Sequence, residues 1–160
     1  MAHSASDIFA ENLRAELAVF RLFLGILQDE QDALVKGNTD HLTELAKRKT
    51  EQVSALSRLA ENRSRLLADA GFGADRQGLE AWLERHDSPS NELRILWNDL
   101  LQAADAARQA NETNGSMIEN RLRHNQQALA VLQSAANQAS LYGPDGQTYG
   151  FGSGRPLGKV

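Results

Sequence analysis

Ser88-Pro89-Ser90-Asn91-Glu92 opens the stretch whose reading decides the fold. It predicts a helix start: a hydroxyl for the cap, proline at the first helical position, and an acid near the positive helix end. No proline follows until Pro144. The spacing therefore predicts one helix over 89–139, a rod of about 75 Å at 1.5 Å per residue, too long to fold back on itself. Its first half carries a three-four apolar repeat of Leu93, Trp97, Leu100, Ala104 and Ala107. Asn111, Asn114, Arg121 and Asn125 continue that seam as polar residues, while the apolar line moves round to Ile118, Leu122, Leu129 and Leu132. Such a helix is expected to be held at one end and to present the other.

Two more long helices precede it. Ser6 is placed as the cap of a helix over 7–36, with Phe9, Leu13, Leu17, Phe20, Leu24, Leu27 and Leu34 on one face. Phe23 and Ile26 widen this stripe, so the segment is expected to touch two neighbours, as a bundle centre or as a self-association patch. Gly37-Asn38 is the stop. Thr39 and Asp40 restart the chain as a helix over 40–70, with Leu42, Leu45, Ala46, Val53, Leu56, Leu59, Leu66 and Leu67 as its seam and Gly71-Phe72-Gly73 as its end. So short a break predicts an antiparallel hairpin. A connector with one short helix over 79–85 carries Trp82 and Leu83, expected to pin it across the hairpin's open end. Lys47-Arg48-Lys49 has Glu44 and Glu51 at helical reach, and reads as a solvated face or as a docking site for an acidic partner.

The fold class that follows is all-α: an antiparallel helical hairpin plus one long C-terminal helix, a three-helix coiled-coil-like bundle. It is read as a single domain over 1–140 with a Gly-rich flexible tail over 141–160. The composition agrees, since Ala, Leu, Glu, Gln and Arg dominate and there are three prolines. A net charge of -4 gives no reason to expect nucleic acid or an anionic membrane as partner. Cysteine is absent, which excludes thiol and disulfide chemistry and fits a reducing compartment. There is no basic N-terminal region, and the most apolar run, Phe20 to Leu27, is far short of the ~20 residues of a membrane span. A soluble, cytoplasmic protein is expected.

Catalytic chemistry finds no footing. His3, His41, His86 and His124 lie on four separate segments, and no Glu-x-x-His motif offers a di-metal site. The glycine-rich run from Gly150 to Lys159 lacks P-loop spacing and context. No enzyme, no cofactor and no metal site are expected. Two asparagines one turn apart, Asn111 and Asn114, either specify register or face a partner's polar groups. Gly115 within the helix costs ~1 kcal/mol relative to alanine, which suggests a packing or hinge reason.

Three blocks carry a resemblance. They are Asn111-Glu112-Thr113-Asn114-Gly115-Ser116-Met117-Ile118, Asn125-Gln126-Gln127-Ala128-Leu129-Ala130-Val131-Leu132, and Leu141-Tyr142-Gly143-Pro144-Asp145-Gly146-Gln147-Thr148. Together they resemble the FlgN family of flagellar type III export chaperones for the hook–filament junction proteins. The likeness is close over 111–148 and general before it. It implies a cytoplasmic, non-enzymatic binder of unexported hook-associated subunits, whose C-terminal amphipathic helix receives a helix of the substrate. The binder would prevent premature association and deliver the subunits to the export apparatus. Carried across residue by residue, Asn111, Asn114, Ile118, Leu122, Asn125, Leu129 and Leu132 face the substrate. Tyr142 is either a staple at the helix end or an anchor for the export apparatus. The competing reading is a structural coiled-coil adaptor that pairs its own exposed stripes.

Overall fold

The computed structural model describes residues 2–140. Among these described residues four helices follow one another: α1 (Ala5–Lys36), α2 (Thr39–Asp69), α3 (Arg76–His86) and α4 (Glu92–Ser140). The chain falls into two compact units. The first is Met1–Met117 and the second begins at Ile118.

Local chemistry sets the helix ends. Ser4, not Ser6, caps α1, and its side chain and the Asp7 carboxylate form a reciprocal capping box. These bonds hold the Asp7 carboxyl below its ordinary range. Ser6 is free for another task, and its hydroxyl donates to the His86 carbonyl at 3.3 Å. Gly37 ends α1 with φ 72°, a backbone state that a Cβ disfavours. Gly71 ends α2 with φ 81°. There the Gly71 and Phe72 N–H groups donate back to the Ala68 and Leu67 carbonyls, the paired bonds of a Schellman stop.

The start of α4 differs from the expectation. Pro89 lies outside the helix, Asn91 takes φ 54° and Glu92 is the first helical residue. The cap comes instead from Asp87, whose carboxylate accepts from the N–H groups of Leu93 at 3.1 Å and Arg94 at 3.2 Å. A charged carboxylate at the positive helix end outcompetes a serine hydroxyl for those donors.

The first unit is a hairpin with α4 laid beside it. Two ion pairs, Glu16–Arg63 and Glu30–Lys49, tie α1 to α2, and the reversed order of their partners makes the two helices antiparallel. The main core gathers Phe9, Leu13 and Leu17 of α1, Leu67 of α2, Leu79, Trp82 and Leu83 of α3, and Leu93, Trp97 and Leu100 of α4. Trp82 sits against Phe9 with ring centroids 4.1 Å apart, so α3 closes the open end of the hairpin as its sequence suggests. Along α1 the widened stripe does divide between two neighbours. Phe23 and Leu27 pack with Ala107 of α4, and Ile26 packs with Leu45 of α2. The seam of α2 is thinner than its leucines imply: Leu45 and Leu67 are buried, while Ala46 and Val53 are exposed.

Candidate functional site

Within α4, residues about 100° apart per step return to one face. On that wheel Leu93, Leu100, Ala107, Asn111, Asn114, Ile118, Leu122, Asn125, Leu129 and Leu132 share a single line. The apolar line therefore does not move round the helix, as the seam reading had it. The three-four spacing is kept throughout, and Asn111, Asn114 and Asn125 only interrupt it.

Burial along this line changes abruptly. Leu93, Trp97, Leu100 and Ala107 are buried. Ile118, Leu122, Leu129 and Leu132 are between 45% and 66% exposed. Asn111 and Asn125 are exposed as well, and Gln126, Gln127 and Gln133 flank the second stretch in the open. From Asn125 to Ser140 no residue carries a formal charge. Over 125–140 the surface is a neutral, amphipathic helix face of large aliphatic side chains, set with amides that donate and accept hydrogen bonds, while Glu119, Arg121, Arg123 and His124 lie in the stretch before it. Such a face suits another amphipathic helix.

Asn114 departs from its expected place. It is 2% exposed, and its amide donates to the Leu27 carbonyl at 2.8 Å and to Glu30 Oε1 at 3.0 Å. Both N–H groups are used within the first unit. Gly115 has no packing reason, because a Cβ there would meet nothing within 4 Å. Tyr142 lies outside the described residues.

Buried charge is what the sequence reading missed. Glu16 and Glu30 are 2% and 4% exposed. Asn12 donates to Glu16 at 2.8 Å and accepts from Asn62 at 2.8 Å, while Arg63 completes the cluster. Burial pushes the Glu16 carboxyl up from its ordinary value of 4.5, against the opposing pull of Arg63 and Asn12. Lys49 reaches Glu30 at 3.2 Å, which takes the third residue of the basic run away from solvent. The available signal was positional: Glu16 and Glu30 fall at helical spacing on the apolar face of α1, beside Leu13 and Leu27, where a charge needs a partner.

A cavity of about 330 Å³ opens over α1, between α2 and α4, lined by Glu16, Phe20, Leu56, Ala60, Arg63, Trp97 and Leu100 among others. Arg63 lies 5.1 Å from the centroid of the Trp97 ring, a cation–π distance. The walls are apolar, and the one carboxylate present is engaged by Arg63. Among the described residues no group of three or more His, Asp or Glu side chains could hold a metal ion. No described helix is long and apolar enough to cross a membrane.

Comparison with known proteins gives the family and the fold. The sequence profile of the FlgN protein family matches residues 1–150. Flagella synthesis protein FlgN of Salmonella typhimurium is 34% identical over 95 residues, which cover 59% of this chain and 66% of that protein. Flagella synthesis protein FlgN of Yersinia enterocolitica is 29% identical over 150 residues, covering 92% of this chain and 94% of the relative. A crystal structure of a Pseudomonas aeruginosa protein named for flagella synthesis superposes with a TM-score of 0.64 at 24% identity, over 74% of this chain and 90% of that one. At that identity the likeness is one of fold.

Proposed function

The chain belongs to the FlgN family, and from that premise we propose that it is a cytoplasmic export chaperone for flagellar hook-associated proteins of the hook–filament junction. Its relatives are named for flagella synthesis, and a binding role without catalysis fits a molecule whose most distinctive surface is an uncovered aliphatic stripe. The observation that carries the reading is the exposure of Ile118, Leu122, Leu129 and Leu132 on one helix face. A client helix laid along that face would bury all four, and Asn111 and Asn125 would meet its polar groups.

Magnitudes suit a reversible complex. Each large aliphatic that is fully buried is worth about 1.5–3 kcal/mol, so four supply roughly 6–12 kcal/mol gross. After rigid-body and ordering costs, neighbouring contacts bring the complex to about micromolar strength, roughly 8 kcal/mol. A chaperone must release its client at the export apparatus, and a clasp of that strength can do so. Tyr142 is kept as the candidate for docking on the export apparatus, with a staple at the helix end as the alternative.

The test is Leu122→Asp in the full chain, titrated with purified junction proteins. Client affinity is expected to fall at least tenfold, with helicity and mass in solution unchanged. Undiminished binding would remove the stripe from the interface. Dissociation of an oligomer would favour a self-pairing adaptor instead. For Tyr142→Ala, secretion of the junction proteins is expected to fall while their binding in solution persists.

A further inference from the structure

We infer that Asn114 is a latch: beyond Ala107, α4 is held on α1 chiefly by this one side chain, and the segment 108–117 is built to open there. The buried apolar side chains of α4 stop at Ala107. From Arg108 to Met117 only Asn114 is buried, Ala110, Gly115 and Met117 are half-buried, and the rest are exposed. Ala110 brings one methyl group to the cluster of Phe23, Leu27 and Ala107. The attachment therefore rests on hydrogen bonds rather than on apolar burial.

Those bonds converge on one point. Asn114 spends both amide N–H groups on α1, at the Leu27 carbonyl and the Glu30 carboxylate. Lys49 of α2 holds the same carboxylate at 3.2 Å, so three helices meet at Glu30. A hydrogen bond to a charged, buried acceptor is strong but directional. It is lost once the helix moves away by an ångström or so, whereas an apolar contact weakens gradually. Gly115 follows directly, in open space. Its effect is to lower helix propensity beside the latch without any packing gain. The segment is thus a local unfolding unit weaker than 93–107, and its opening frees the Leu27 carbonyl and the Glu30 carboxylate. This follows from the first unit alone, whatever α4 binds.

Amide hydrogen exchange on the full chain tests it. In Asn114→Ala the amides of 110–117 are expected to exchange roughly tenfold to a hundredfold faster, the range set by losing hydrogen bonds to a charged group. The amides of 96–104 keep their rates. Equal acceleration over 96–117, or no acceleration, overturns the latch. Gly115→Ala gives a second reading should the first variant fail to fold. It is expected to slow 110–117 about fivefold and leave 96–104 unchanged, and a uniform slowing or none overturns the proposal.

Discussion

Leu93, Trp97, Leu100 and Ala107 lie on the same line of α4 as Ile118, Leu122, Leu129 and Leu132, in the same kind of repeat, yet the first four are buried and the second four are open. The difference is not in the helix. The first stretch meets faces supplied by α1 and α3, including Phe9, Leu13, Trp82 and Leu83. The second stretch belongs to the unit that begins at Ile118, where Ile118, Leu122, Leu129 and Leu132 are exposed. An amphipathic repeat records that a face is meant to be covered. It does not record by whom.

The contrast is easiest to break at the polar clusters that only the packed region has. Arg63→Ala strands the Glu16 carboxylate and is expected to cost about 3–5 kcal/mol at neutral pH, measured by urea unfolding. The loss should shrink on acidification. The Glu16 pKa is raised in the folded state, so the folded chain binds that proton more tightly than the unfolded one. The cost of its charge is fully present above the raised value and fades as pH falls through it toward 4.5. A loss independent of pH would assign the effect to the Arg63–Trp97 contact.

One substitution placed in both stretches sharpens the comparison. Leu100→Ala should destabilise by about 2–5 kcal/mol, whereas Leu129→Ala should stay within roughly 0.5 kcal/mol of the parent. Equal losses in denaturant titrations would mean that the second stretch is covered in solution. Leu122→Asp should lower client affinity by at least tenfold, about 1.4 kcal/mol, with an unchanged unfolding midpoint. The smallest effect belongs to Gly115→Ala, a gain of up to about 1 kcal/mol, since the added methyl meets open space. A loss there would reveal a contact at Gly115.

Much of this was legible residue by residue. The glycine stops at Gly37 and Gly71, the hairpin, the Trp82 anchor and the stripe from Ile118 to Leu132 follow from spacing and capping chemistry alone. The cap of α4 was not legible, because Ser88 and Asp87 are both good caps and only the path of the loop decides which carboxylate or hydroxyl reaches the free N–H groups. The burial of Asn114 was not legible for a related reason. Asn111 and Asn114 look alike in sequence, and a single turn of helix puts one in the open and the other against Glu30.

By itself, then, the order of residues determined periodicity: where helices run, where they end, and which line along each is apolar. Periodicity is a property of one helix at a time, so local spacing is enough to define it. Pairing was decided by tertiary structure, which matched Glu16 with Arg63, Glu30 with Lys49 and Asn114, and left one stretch of a uniform stripe without a cover. Burial depends on what lies across a gap of a few ångströms, contributed by residues tens of positions away, and no local pattern carries that information.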